Sequence, residues 1–154
     1  MTFYFAALLL GVIAGLRSMT APAAASWAAA MGLLHLAGTP MAFMGLGLTP
    51  WIFTLLAAAE LVTDKLPATP SRKIPVSFAA RVGAGGLAGW AVGASLGAPL
   101  PGVALGAVGA VMGTLGGAWA RARLAAAFRR DLPAALLEDL VAVGGAALVV
   151  GGLL

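Results

Sequence analysis

Sixteen residues, Glu60 to Pro75, hold two of the five acidic and three of the nine basic side chains of a chain that is only 9% charged. They close one apolar run with two carboxylates a helical turn apart and pass through a basic loop punctuated by Pro67, Pro70 and Pro75. A second long apolar run follows, with Arg81 in its first turns. Apolar runs of this kind, joined by short charged blocks, are what a bilayer demands of a chain. Hydrophobic residues make up 62% of the 154, and mean hydropathy is +1.04, against about 45–50% apolar in soluble domains. The expectation is a single all-α integral membrane domain over residues 1–154. At about 20 residues per crossing there is room for four or five spans.

The same composition removes several classes of function. A net charge of +4, spread among apolar segments, reads as topology signals and lipid-headgroup contacts, not as a nucleic-acid surface. Zero cysteines exclude disulfides, iron–sulfur clusters and thiolate zinc, and one histidine, His35, excludes a histidine-rich metal site within one subunit. There is no dinucleotide fingerprint, Walker loop, zinc-protease motif or serine elbow. No cofactor is expected, and none of these motifs assigns an enzyme chemistry.

Residues 3–34 form one apolar stretch interrupted by Arg17-Ser18-Met19-Thr20-Ala21-Pro22. As one straight helix it would measure about 48 Å, against a hydrocarbon core of about 30 Å. Pro22 removes the donor that would bond back to Ser18, so a kink or break is expected at Arg17–Thr20. A single bent crossing and a re-entrant pair of half-helices both satisfy this. The small residues Ala21–Ala25 resemble a signal-peptide cleavage site, but a basic n-region is missing and the apolar character continues past Leu34, so the segment is expected to be retained.

Residues 35–50, rich in glycine and proline, read as a loop. The second span is expected from Trp51 to Leu66, with Pro67 as its stop. A third span, Val76 to Gly97, has glycines at 85, 89, 93 and 97 on one face. A turn at Ala98–Pro101 leads to a fourth span with glycines at 102, 106, 109, 113 and 117, so these two helices are expected to pack closely as a hairpin. After a basic connection over 121–131, Pro133 opens the fifth span. The positive-inside rule makes the connections at 65–75 and 121–131 cytoplasmic. If the first stretch crosses once, the N-terminus is cytoplasmic and the C-terminus external. Helices 1–2 and 4–5 each pair a glycine-spaced helix with one carrying an acid, which suggests an inverted repeat.

Charged side chains inside a span cost at least about 2.5–3.5 kcal/mol each, so they need partners and usually a task. Arg17 is the deepest. It either ties the broken helix to carbonyls or Glu60, or contacts an anion or substrate. Ser18 and Thr20 can patch backbone groups freed by the break or bind a ligand. Glu60 and Asp64 share a helix face, and two close acids make a proton or cation site. Asp64 can also pair with Lys65 or Arg81. Glu138 and Asp139 point about 100° apart and cannot share one partner. One is expected to face the bundle, the other Arg129, Arg130 or water. Arg17, Ser18, Thr20, Glu60, Asp64, Arg81, Glu138 and Asp139 are the candidate solute- or ion-binding residues.

The run Glu60-x-x-x-Asp64-Lys65-Leu66-Pro67, with Gly15-Leu16-Arg17 ahead of it and Arg81 opening the next span, resembles the small bacterial membrane proteins grouped as domain-of-unknown-function 4126. The chain is shorter than many of those proteins, with a more compact connecting loop. The resemblance implies a multi-pass protein of the bacterial inner membrane and implies no activity.

These residues lead to the expectation of a transporter or channel for an ion, proton or small polar solute. The alternative is a scaffold or accessory subunit held together by structural ion pairs. Cytoplasmic arginines beside acids also fit a lipid-modifying enzyme. Membrane lipids and a second copy of the chain are the expected partners. Five thin helices enclose little volume around Arg17, and glycines such as Gly106 and Gly117 are expected to remain for a dimer contact.

Overall fold

The computed structural model describes residues 1–65 and 74–154, and these are helices joined by short turns. Six helices follow in order: α1 (Thr2–Leu16), α2 (Thr20–Ala30), α3 (Thr49–Thr63), α4 (Pro75–Ser95), α5 (Pro99–Phe128) and α6 (Asp131–Gly152), with a 3₁₀ turn at Ala42–Gly45 before α3. Proline sits in the first turn of α3, α4 and α5, where its missing donor costs nothing. The turn after α4 uses Gly97 at φ +69°, a left-handed conformation that suits glycine. The expected stop at Pro67 and the basic loop through Lys73 lie outside the described residues.

The first apolar stretch is two helices, not one. α1 ends at Leu16, Arg17 is extended at φ −140° and ψ 108°, and α2 starts at Thr20. Pro22 sits in the first turn of α2, where it fits without strain. Glycine contacts fix the directions. Gly11 lies against Gly106, and Gly15 against Ala110 and Gly113, so α1 runs parallel to α5. Arg81 near the start of α4 reaches Gly15 and Leu16 at the end of α1, so α4 runs the other way. His35, beyond α2, meets Ser95 at the end of α4. The chain therefore turns back at Arg17–Met19, and α1 and α2 form a helical hairpin.

α3 returns along α2, with Trp27 bonded to Thr54 and Ser18 to Glu60. All six helices alternate up and down. Both chain termini lie at one end of the bundle, and the ends of α1, α3 and α5 lie at the other. This corrects the expectation that the N-terminus shares a side with the 121–131 connection. For the expected repeat of helices 1–2 and 4–5 the directions are mixed: the glycine-bearing helices α1 and α5 point the same way, and the acid-bearing helices α3 and α6 point opposite ways.

The packed centre is α1, α4 and α5, each packed on the other two, with α5 making the most extensive contact with both of its neighbours. A Cβ at Gly85 would stand 2.6 Å from the Gly106 carbonyl oxygen, and one at Gly15 would stand 2.5 Å from that of Ala110. Nothing but glycine lets backbones approach so closely. The expected hairpin of α4 and α5 is present, but α1 takes the next face of α5. Gly106 and Gly117 are buried within the chain, and Arg17 is fully buried by its own fold. Both grounds for a dimer are thus met inside one copy.

Two helices, α5 and α6, are long and apolar enough to cross a membrane; α1 and α3 are apolar but 15 residues long. α5 continues to Phe128, so Arg121 and Arg123 lie on a helix and not in a loop. α3 packs on α2 and the 3₁₀ turn and buries only Pro50. It is the peripheral helix of the bundle.

Candidate ion-pair centre at one end of the bundle

All five acids of the chain take part in one constellation of charges at the end of the bundle where α1, α3 and α5 finish. It begins with the break between α1 and α2, which strands backbone groups on both sides. The Gly15 and Leu16 carbonyls accept from Arg81 Nη1 at 3.0 and 2.8 Å. On the other side, the Glu60 carboxylate accepts from the Ser18 and Met19 amides, each at 2.8 Å, and from Ser18 Oγ at 2.8 Å. A cation thus closes a helix C-terminus and an anion a helix N-terminus, as the helix dipoles favour. The two caps face each other, with Arg81 Nη2 3.8 Å from Glu60 Oε1. Thr114 Oγ1 adds a contact to the Gly15 carbonyl at 3.4 Å.

Arg17, between the caps, points elsewhere. Its Nε donates to Asp139 Oδ1 at 2.6 Å, and its Nη1 donates to Asp64 Oδ2. Each of those acids has a second cation. Lys65 Nζ lies 2.5 Å from Asp139 Oδ2, and Arg121 Nη1 lies 3.2 Å from Asp64 Oδ2. Arg121 also meets Glu138 at 3.3 Å and Asp131 at 2.6 Å. The result is an alternating chain, Lys65–Asp139–Arg17–Asp64–Arg121, ending on Glu138 and Asp131. Exposure rises from Arg17 at 0% through Asp64 and Asp139 at 13% and Arg121 at 16% to Asp131 at 63%, while the Glu138 end stays buried at 6%. On its inner side the centre is closed by the glycine-packed helices.

The candidates named from sequence therefore separate into groups. Arg17, Asp64, Glu138 and Asp139 join the ion chain. Ser18, Glu60 and Arg81 close the helix break. Thr20 belongs to neither: its buried hydroxyl has no hydrogen-bond partner, and the residue borders a groove between α2, α3 and α6.

Three pairings differ from expectation. Glu60 caps α2 and does not meet Arg17, because the break turns its freed amides toward α3. Asp64 pairs with Arg17 and Arg121, since the end of α3 lies over the α1–α2 joint. Glu138 and Asp139 both face the centre, on different partners as their angular separation requires. Lys65, Arg121 and Asp131 are the members that sequence reasoning missed. The signal for Arg121 was present: Ala-Trp-Ala-Arg-Ala-Arg-Leu-Ala-Ala-Ala is built from strong helix formers, and it continues the fourth helix past the expected loop.

Among the described residues no group of three or more His, Asp or Glu is placed to hold a metal ion. No family model, no curated protein and no solved structure matches this chain.

Proposed function

We propose that the chain is a multi-pass protein of the bacterial inner membrane that passes a proton, an ion or a small polar solute through the Arg17–Asp64–Asp139–Arg121 centre. The observation that carries this is the fully buried Arg17 held between two carboxylates that are themselves shared with other cations. Buried ion pairs are a poor way to gain stability, since desolvation offsets much of the attraction. A chain that brings charges from α3, α4, α5, α6 and the α1–α2 joint to one point has a use for them. The apolar helices and the resemblance noted from Glu60–Pro67 support the membrane setting.

The shared carboxylates suggest the mechanism. A proton on Asp64 weakens its hold on Arg17 and Arg121 together, and Arg17 keeps Asp139. An anion that reaches the centre competes for Arg121 in the same way. Either event loosens α3, whose links to α1, α5 and α6 near this end run through Glu60, Asp64 and Lys65.

The test is reconstitution of the full chain in liposomes with an internal pH indicator and an imposed potential. Wild type is expected to dissipate the gradient, and Asp64→Asn to slow it at least tenfold in chains that insert and keep wild-type helicity. The competing scaffold reading draws on the fact that the centre's acids have cationic partners. It predicts the converse: no flux above empty liposomes in wild type, and a lowered melting point in Asp64→Asn.

A further inference from the structure

α5 is longer than a bilayer crossing requires. Its 30 residues measure about 45 Å, against a hydrocarbon core of about 30 Å. Its outward stripe runs through the exposed side chains of Leu100, Val108, Met112, Leu115 and Trp119, a length of about 30 Å without a charge. The next exposed residue one turn on is Arg123. The stripe turns from apolar to basic where a crossing begun at Pro99 would end.

Arg123 stands over the Trp119 ring, its Cζ 4.5 Å from the centroid. Stacking fixes the guanidinium by its face and leaves the N–H donors at its edge for another partner. Arg129 and Arg130 follow at the turn into α6, both exposed. Among the described residues Arg129 is the one non-glycine residue with a positive φ, +54°, a helix-ending conformation that glycine takes at less cost. Neither packing nor the turn asks for arginine there. Among the described residues these three arginines also have no carboxylate partner, because Glu60, Asp64, Asp131, Glu138 and Asp139 are engaged by Arg81, Arg17, Arg121 and Lys65. Their counter-charge comes from outside the chain.

We propose that Arg123, Arg129 and Arg130 hold the headgroup of an anionic phospholipid, with its phosphate on the guanidinium edges and Trp119 at the border of the acyl region. The proposal rests on the membrane setting given above and not on flux through the Arg17 centre. Two observations select a lipid over a soluble phosphate. Trp119 ends an apolar stripe as long as the hydrocarbon layer is thick, and the exposed Phe128 and Leu132 flank Arg129 and Arg130 in sequence. Aromatic and aliphatic side chains beside unpaired basic ones suit the boundary of an anionic membrane.

The experiment is native mass spectrometry of the full chain in mild detergent, titrated with 1-palmitoyl-2-oleoyl-phosphatidylglycerol and with the phosphatidylcholine of the same acyl chains. Wild type is expected to bind phosphatidylglycerol at least tenfold more tightly, by a margin that shrinks as salt rises. Arg123→Gln and Arg130→Gln are each expected to weaken that binding about fivefold and to leave phosphatidylcholine unchanged. Arg129→Gly is expected to do the same while melting at or above the wild-type temperature, since glycine relieves the left-handed turn. An arginine with only a structural role would show the reverse. Glycerol 3-phosphate at millimolar concentration is expected to leave the lipid bound.

An unchanged preference in a folded chain carrying Arg123→Gln, Arg129→Gly and Arg130→Gln together overturns the proposal, and so does displacement of the lipid by glycerol 3-phosphate, which assigns the arginines to a soluble anion. A wild-type chain that sediments with membranes and binds both lipids equally also overturns it, leaving the membrane reading intact. A chain that does not partition into membranes refutes that reading and the proposal with it.

Discussion

Arg17 Nε and Asp139 Oδ1 meet at 2.6 Å across 122 residues of sequence, one at the turn between the first two helices and the other in the third turn of the last. The contact joins the beginning and end of the fold, and the guanidinium that makes it has no exposed surface. Arg17→Gln is expected to lower stability by about 3–5 kcal/mol, because it leaves Asp64 and Asp139 facing each other without their shared cation. Adding Asp139→Asn is expected to recover part of that loss. Arg17→Lys is expected to fall between, since a single ammonium cannot reproduce two divergent donors. Denaturant unfolding in detergent, followed by circular dichroism, measures all three.

Glu60 serves the α2 N-terminus, so its variants are expected to affect structure first. Glu60→Gln keeps one acceptor oxygen and is expected to cost about 1 kcal/mol, whereas Glu60→Ala leaves the Ser18 and Met19 amides open and is expected to cost about 2 kcal/mol. Hydrogen exchange at those two amides is expected to quicken in the alanine variant while Gly85–Gly93 stays protected. Unchanged exchange at Ser18 and Met19 would show that the cap is not formed in solution.

Glycines divide sharply by position. A Cβ at Gly85 meets the Gly106 carbonyl oxygen at 2.6 Å and the Ala110 side chain at 2.7 Å, while one at Gly116 meets nothing within 4 Å. Gly85→Ala is expected to push α4 off α5 and cost about 2–3 kcal/mol. Gly116→Ala is expected to raise stability by about 0.5–1 kcal/mol through helix propensity alone. A pair of thermal melts decides this, and equal melting points would contradict the packing of α5.

Both termini lie at the bundle end opposite Arg121. In membranes, tags at residue 1 and residue 154 are expected to be protected or digested together, and a cysteine in place of Arg130 is expected to label from the other side. Tags that respond oppositely would restore the single bent crossing of residues 3–34.

Much of this was legible in the sequence. Pro22 and the polar run Arg17–Thr20 marked the break, Pro50 marked the start of α3, and glycine spacing marked the faces of α4 and α5 that meet. Those features act locally: a missing donor, a fixed φ or an absent Cβ has the same effect in any fold. The sequence also determined that its few charges need partners, since so apolar a chain offers them little water. The tertiary structure alone decided which partners. A break removes hydrogen bonds but sets no angle, and only the packing of α1 against α5 and of α2 against α3 turned the chain back at Arg17. That reversal put Glu60 on the freed amides, swung Asp64 and Asp139 onto Arg17, and moved the N-terminus to the far end. Arg121 joined them because α5 continues two further turns. Charge pairing is long-range in sequence and short-range in space, so it becomes readable only once helix directions are fixed.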